Sequence, residues 1–455
     1  MNLYRPTYHF STEKNWINDP NGPIYLDGYY HLFYQYNPTG DCWGNIHWGH
    51  ARSSDLINWE TLPIALQPSA ERGELHCFSG CAALENGAPA ILYTSVGSID
   101  NGPRTPRYGA ELWAAHSSDG GITWVKDPGN PVLTQAAHGD TQISEWRDPY
   151  VWREGADWML VQGGSIGGHG CVLRYRGKDL SHWTYLGPLF LSADFPFLEC
   201  PNILPFGEQY MLFYSPNDSV RYHIGTIGED GLLREKTGGI LDHGGKTFYA
   251  PNTLLNAPEG RLLTWGWIQE DGRGSTFSGW SGMMSLPRVY TLENSSLRQE
   301  PAREYQLLRQ EPERLPVDRL SGSRAAFHHR GRAYEVLIEM TVEQDSDFSL
   351  VVLASPDGSE LTRLHYSARN DTLTMERGLS SMAENTNRNF WQMPVHTQGG
   401  RLSLRIFVDH SVVEIFANCK EAMTGRVYPI RPDSDTVYLE GQTSNVSATL
   451  WPLEI

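Results

Sequence analysis

The sequence predicts an all-β chain: a five-bladed β-propeller over residues 1–297 and a β-sandwich over residues 321–455, joined by a linker with one short helix over residues 298–320. Three observations lead to that architecture. Short runs of alternating or β-branched apolar residues are cut repeatedly by Gly, Pro, Asn and Asp. An Asp-turn-Trp motif recurs at long, nearly even spacing. Charged, Pro-interrupted sequence then fills Arg298 to Leu320, and strands resume beyond it.

Within the propeller region the clearest strands are Tyr29–Tyr36, Ala90–Ser95, Trp158–Gln162 and Gln209–Tyr214. With Gly 45 and Pro 28 in the chain, and hardly a capped amphipathic stretch longer than about ten residues, helices are few. The repeat reads Ser53-Ser54-Asp55-Leu56-Ile57-Asn58-Trp59, then Ser117-Ser118-Asp119-Gly120-Gly121-Ile122-Thr123-Trp124, then Gly177-Lys178-Asp179-Leu180-Ser181-His182-Trp183. A unit of roughly 60 residues with several strands and one such corner suits a propeller blade, and about 290 residues make five of them. The Asp satisfies turn N–H groups and the Trp packs between sheets, so both are scaffold. The linker follows, with its helix at Arg303–Arg309 and prolines at 312 and 316. The sandwich strands are Tyr334–Val342, Phe348–Ala354, Leu361–Ser367, the hairpin Leu402–Val408 with Val412–Phe416, Val437–Glu440 and Val446–Leu450.

Composition narrows the partners. The 455 residues carry 53 acidic against 36 basic side chains, a net charge of −17, which argues against a phosphate-backbone or anionic-lipid surface. Nucleic acid is not an expected partner, and no run approaches the ~18 apolar residues of a membrane span. The start, Met1-Asn2-Leu3-Tyr4-Arg5-Pro6, lacks a signal peptide's apolar core, so a cytoplasmic location is expected. Six cysteines (Cys42, Cys77, Cys81, Cys171, Cys200, Cys419) are read as free thiols, and Cys77-x-x-x-Cys81 has no second pair to make a zinc site. Neither metal nor other cofactor is expected; His47 and His50 are read as hydrogen-bonded scaffold on a strand.

Three carboxylates are the candidates for chemistry. Asp19, in Trp16-Ile17-Asn18-Asp19-Pro20-Asn21-Gly22, sits in a turn-like context beside an expected strand Ile24–Leu26, where a propeller funnel opens. Asp148, in Glu145-Trp146-Arg147-Asp148-Pro149-Tyr150, forms a polar pair with Arg147 among aromatics, where a charge is costly unless used. Glu199, in Phe195-Pro196-Phe197-Leu198-Glu199-Cys200-Pro201, follows an apolar run, and apolar surroundings keep a carboxylic acid protonated near neutral pH. One ionised and one protonated carboxyl, roughly 5–5.5 Å apart, are what retaining glycoside hydrolysis uses. Only a closed ring of blades brings residues 19 and 199 together, and abundant aromatic and amide side chains are available to line a sugar site.

These stretches, with Phe33-Tyr34-Gln35-Tyr36-Asn37-Pro38, Trp43-Gly44-Asn45, Phe78-Ser79-Gly80 and Trp280-Ser281-Gly282-Met283-Met284-Ser285-Leu286-Pro287-Arg288, resemble glycoside hydrolase family 32, the invertases, fructanases and fructosyltransferases. The resemblance covers essentially the whole chain, and its implied fold is the same propeller and sandwich. It implies Asp19 as nucleophile at C2 of a β-fructofuranosyl unit, Glu199 as acid/base and Asp148 as transition-state stabiliser. It implies a fructose site lined by Asn18, Gln35, Trp43, Phe78, Ser79 and Arg147, with Tyr249, in Thr247-Phe248-Tyr249-Ala250-Pro251, as a wall residue. The expected partner is therefore a sugar: sucrose, a fructo-oligosaccharide or a fructan. Trp265-Gly266-Trp267 also matches, and blade packing accounts for both tryptophans. Ser411–Asn418 resembles a sandwich strand whose Glu414 faces solvent. Ile17 stands where Met is frequent, a packing change. Asn202 stands where many bacterial members have Asp, which bears on leaving-group preference and pH optimum.

The Ser117–Trp124 corner also fits the Asp-box of sialidases, but the sequence places neither their arginine cluster nor their Tyr nucleophile. A lectin-like propeller would lack a catalytic carboxylate, and all three are present. Fructosyl transfer to a sugar hydroxyl through the same intermediate, and hydrolysis of sucrose 6-phosphate, stay open beside β-fructofuranoside hydrolysis.

Overall fold

Strands that follow one another in sequence pair antiparallel from Asn15 to Pro301 and close five sheets, the outcome that short turns favour. The computed structural model describes residues 3–99, 102–103, 110–272, 279–397 and 399–455. The first blade holds Asn15–Leu26, Tyr29–Asn37, His47–Ser53 and Glu60–Leu66; the second holds Glu74–Glu85, Ala88–Ile99, Glu111–His116 and Val125–Lys126. The third runs Ile143–Glu154, Asp157–Ile166, His169–Gly177 and Trp183–Leu191. Glu199–Phe206, Gln209–Ser215, Arg221–Ile227 and Leu233–Ile240 make the fourth, and Phe248–Leu254, Leu263–Ile268, Arg288–Glu293 and Ser296–Pro301 the fifth. The first strands of the five blades neighbour one another in a closed ring. Trp280–Ser281, from the fifth-blade region, pairs parallel with Asn15–Trp16 and ties the last blade to the first.

The repeated corner has the geometry its sequence implies. Asp55 Oδ1 accepts from the Ile57 and Asn58 N–H groups, Asp119 Oδ1 from Ile122 and Thr123, and Asp179 Oδ1 from Ser181 and His182. In each corner the Trp indole N–H returns to the carbonyl three residues back: Trp59 to Leu56, Trp124 to Gly121, Trp183 to Leu180. Each ring packs at the margin of an apolar cluster, so the motif is architecture.

In the C-terminal domain a single long strand, Thr436–Pro452, serves two layers. Its first half pairs with Asp347–Ala354 and its second with Ala333–Thr341, while Glu313–Ala326 runs antiparallel along both. The halves face each other across a core that includes Leu350, Leu364, Leu439, Val336, Ile406 and Ile415. The two strands expected at Val437–Glu440 and Val446–Leu450 are thus one. Gly441 (φ 124°) and Asn445 (φ 53°) bend it between the layers, which reads as a loop in sequence.

Other expectations need correction. Of the stretch read as linker, Ser296–Pro301 is the last propeller strand and Glu313–Ala326 already a sandwich strand, leaving a 3₁₀ turn at Arg303–Leu308. Thr372–Glu376, Trp391–Pro394 and Glu421–Arg426 are further strands, too short or too polar to stand out in the sequence. Glu414 is fully buried, not solvent-facing. Val413, Ile415 and Ala417 fill the sandwich core, whereas Phe416 on the other face packs with Leu254 and Trp265 of the fifth blade. The propeller covers the face that alternation assigns to solvent.

Candidate active site

All five innermost strands lose register at one level. The breaks fall between Ile17 and Pro20, Cys77 and Gly80, Arg147 and Tyr150, Glu199 and Asn202, and Tyr249 and Asn252. Such bulges bend a strand and re-aim side chains, and they are where a sheet accepts proline; four of the five contain one, at 20, 149, 201 and 251. Eight of the ten predicted site residues sit on this ring, at least one per blade: Asn18 and Asp19, Phe78 and Ser79, Arg147 and Asp148, Glu199, and Tyr249; Gln35 is on the adjacent strand Tyr29–Asn37 and Trp43 on the loop that follows it.

A bulge removes N–H groups from the ladder, and buried N–H groups require acceptors. Asp148 (φ 64°), Cys200 (φ 47°) and Ala250 (φ 46°) adopt the left-handed region, at a cost of order 1–3 kcal/mol each for residues other than glycine. Their N–H groups are met by Thr94 Oγ1 at 2.8 Å, Asp148 Oδ2 at 3.0 Å and Ser215 Oγ at 3.0 Å. Thr94 and Ser215 were not singled out from the sequence; a hydroxyl at the end of an apolar strand is the signal that could have found them.

Asp19 is the most heavily hydrogen-bonded of the three carboxylates. Its Oδ2 accepts from Ser79 Oγ at 2.5 Å, Gln35 Nε2 at 3.4 Å and Cys200 Sγ at 3.5 Å, and its Oδ1 from Asn18 Nδ2 at 3.0 Å. Asn18 also donates to Gln35 Oε1 at 2.6 Å and accepts from the Trp16 indole at 2.7 Å, so the amides form one oriented network. Burial pushes the Asp19 carboxyl above its usual range, opposed by the Ser79 and Asn18 donors and reinforced by Glu199. Asp148, 5% exposed, has its carboxyl pushed up to about 7 by burial, against the pull of Arg147 and with Glu199 and Asp19 adding to the rise. The Cys200 thiol lies 3.5 Å from Oδ2 of both Asp148 and Asp19, and burial raises it well above its ordinary value, so it is a neutral donor between them.

Glu199 differs from expectation. Its carboxylate accepts from Arg147 Nη2 at 2.7 Å and from the Tyr249 hydroxyl at 2.5 Å, with a quarter of the side chain open to solvent. Its partners are polar, because the bulge turns it away from the apolar run that precedes it. Burial and the charge of Glu199 raise the Tyr249 phenol, keeping it a donor, and the Asn217 N–H donates to the same oxygen at 2.7 Å. Trp43, 52% exposed, stands at the rim edge-on to Phe78 (centroids 6.2 Å apart) and beside His76 (5.4 Å). His76 extends this aromatic wall and was not singled out from the sequence.

Asn202 ties neighbouring strands together. Buried, it accepts the Thr253 N–H at 2.9 Å and donates to the carbonyls of Cys200 (3.3 Å) and Pro251 (3.2 Å), stitching the fourth and fifth bulges. His50 pairs with His31 at 2.9 Å and stacks on Phe33, and His47 bonds its own loop, both as scaffold. Among the described residues no group of His, Cys, Asp and Glu side chains has a metal-holding arrangement.

The family model described as "Glycosyl hydrolases family 32 N-terminal domain" matches residues 9–301, and "Glycosyl hydrolases family 32 C terminal" matches 294–452. A sucrose-6-phosphate hydrolase of Escherichia coli is 32% identical over 446 residues, 94% of this chain and 90% of that protein. The crystal structure of fructan 1-exohydrolase IIa from Cichorium intybus is similar at a TM-score of 0.88 and 25% identity, covering 100% of this chain and 98% of that one. A Bombyx mori GH32 beta-fructofuranosidase variant in complex with sucrose superposes at a TM-score of 0.82 with 27% identity, over 99% and 94% of the two chains.

Proposed function

The chain belongs to glycoside hydrolase family 32, a hydrolase of fructosides, and from that premise we propose which residues do the work and on what. It hydrolyses terminal β-D-fructofuranosyl linkages through a covalent fructosyl-enzyme intermediate, with sucrose and short fructo-oligosaccharides as its proposed substrates. The carrying observation is that Asp19 and Glu199 share one funnel at one level and differ in their partners: four donors around Asp19, and a guanidinium and a phenol on Glu199.

In the first step Asp19 Oδ attacks C2 of the fructosyl unit while Glu199, which takes up a proton from solvent through its open quarter, gives that proton to the departing oxygen. The donors from Asn18, Gln35, Ser79 and Cys200 orient the attacking carboxylate before substrate arrives, so little reorganisation is left to the transition state. Positive charge develops on the ring, and the ionised carboxylate of buried Asp148 stabilises it at short range and low dielectric. Arg147, held charged by Glu199 and Asp148 although burial opposes it, and Asn18 and Gln35 bind fructosyl hydroxyls, while Trp43 and Phe78 cover the apolar face of the ring. In the second step Glu199 takes a proton from water, which attacks C2 and frees Asp19.

Incubation with concentrated sucrose, with Asp19→Asn as the blank, tests this. Equal release of glucose and fructose supports hydrolysis, glucose in excess of fructose replaces it with transfer to a sugar acceptor, and release only from sucrose 6-phosphate or from fructans moves the substrate assignment. No release from any of them refutes the reading and leaves a sugar-binding propeller. The proposed location is the reducing cytoplasm, supported by six unpaired cysteines; recovery of the activity from an extracellular fraction would overturn it.

A further inference from the structure

We propose that Glu270 is a positioning residue through which the sandwich holds the strand bearing Asp19, an inference that rests on Asp19 as the nucleophile. Glu270 follows the fifth-blade strand Leu263–Ile268, and sandwich side chains grip its Oε2: Tyr428 donates at 2.7 Å and Arg426 Nη2 lies at 3.1 Å. Its Oε1 accepts the Gly282 N–H at 3.1 Å. The neighbouring Asp271 is held by Arg377 Nη1 at 2.5 Å and by Asn387 Nδ2 at 2.6 Å, and its own N–H donates to the Tyr428 hydroxyl at 3.0 Å. Four sandwich side chains therefore converge on two consecutive acidic residues of the propeller.

From Glu270 two short routes lead to the nucleophile. Gly282 (φ 82°) sits so close to the nucleophile strand that a Cβ there would lie 2.1 Å from the Ile17 carbonyl oxygen, two residues before Asp19. The adjoining Trp280–Ser281 pairs with Asn15–Trp16. The same hypothetical Cβ would lie 2.9 Å from Trp267 Nε1, and Trp267 packs edge-on against Trp16, centroids 5.6 Å apart, whose indole donates to Asn18. Asn18 in turn donates to Asp19. Both oxygens of Glu270 have protein partners, and the role proposed for it is exerted through the strand. Close-packed contacts transmit small displacements, and sub-ångström misplacement of a nucleophile costs rate with little change in ground-state binding.

Tyr428→Phe removes one hydroxyl 2.7 Å from Glu270 without altering the propeller sequence, and Glu270→Gln keeps the volume while breaking the pairing with Arg426. For both variants the expected result is a fall of about tenfold in kcat/KM, equal for sucrose and for an activated aryl β-fructofuranoside, with fructose inhibition unchanged to within about twofold. A defect in acid/base catalysis would spare the aryl substrate. Hydrogen exchange supplies a readout independent of turnover: amides 15–19 should exchange faster in both variants while amides 199–202 do not change. Unaltered exchange at 15–19, or a lower Tm with kcat/KM per folded enzyme intact, overturns the proposal. If the wild-type protein releases no fructose at all, Asp19 loses its role, and exchange at 15–19 then decides the mechanical coupling alone.

Discussion

Raising the pH should loosen the seam between propeller and sandwich by discharging His9. Both ring nitrogens of His9 face carboxylates: Nδ1 lies 2.9 Å from Asp409 Oδ2 and Nε2 3.1 Å from Glu414 Oε1, with all three side chains fully buried. A neutral imidazole keeps one nitrogen as an acceptor and would turn it on an anion, so the imidazolium is the form that fits. Arg288 completes the cluster, 2.7 Å from both Asp242 and Glu414, so two cations face three carboxylates. Burial opposes the charge on His9, but the hydrogen bonds and charges of Asp409 and Glu414 prevail and push its pKa from 6.5 up to about 9. The folded value lies above the unfolded one, so the stabilisation is complete below about pH 6.5 and disappears as pH rises through about 9. The difference of about 2.5 pH units corresponds to about 3 kcal/mol, a large share of a typical folding free energy.

The assay is urea unfolding followed by tryptophan fluorescence at pH 6.5, 8 and 10 for the wild type and His9→Asn. Titrations common to both chains cancel in the difference between them. That difference should be largest at pH 6.5 and shrink by about 3 kcal/mol by pH 10. A wild-type advantage that is the same at all three pH values would refute the imidazolium and the clamp built on it.

Asp148→Asn should make the protein more stable and less active. Its carboxyl is pushed from 3.8 up to about 7, so stability is lost as pH rises between those two values, and the neutral amide should gain of the order of 2–4 kcal/mol at pH 8 while kcat/KM falls at least about a hundredfold. Unfolding at pH 8 and at pH 5, where the gain should be much smaller, checks the sign. Glu199→Gln should lower turnover of sucrose by about 10²–10⁴-fold and of an aryl fructoside much less in the first step, measured by leaving-group release; full sucrose turnover would remove Glu199 from the acid/base role. Asn202→Ala should cost about 2–4 kcal/mol, because a buried N–H and two carbonyls lose their partner, and denaturant midpoints measure it.

The sequence alone determined the scaffold and the address of the site. Strand alternation and the recurring Asp-turn-Trp corner are local signals, because each acts within a few residues on turn geometry or on the ladder. The motifs around Asp19, Asp148 and Glu199, through their resemblance to the family, mark the site, whereas their seats at bulges of the first, third and fourth blades emerge only from the strand registers. Only the tertiary structure decided what each group faces. Glu199 follows an apolar run yet meets Arg147 and Tyr249, 52 and 50 residues away. Glu414 alternates as a surface residue yet is buried beneath the fifth blade with His9 and Arg288. Residues 436–452 read as two strands and are one, bent at Gly441. The physical reason is range: backbone preferences are set by neighbours in sequence, whereas burial and charge are set by whatever the closed ring and the docked sandwich bring within a few ångströms.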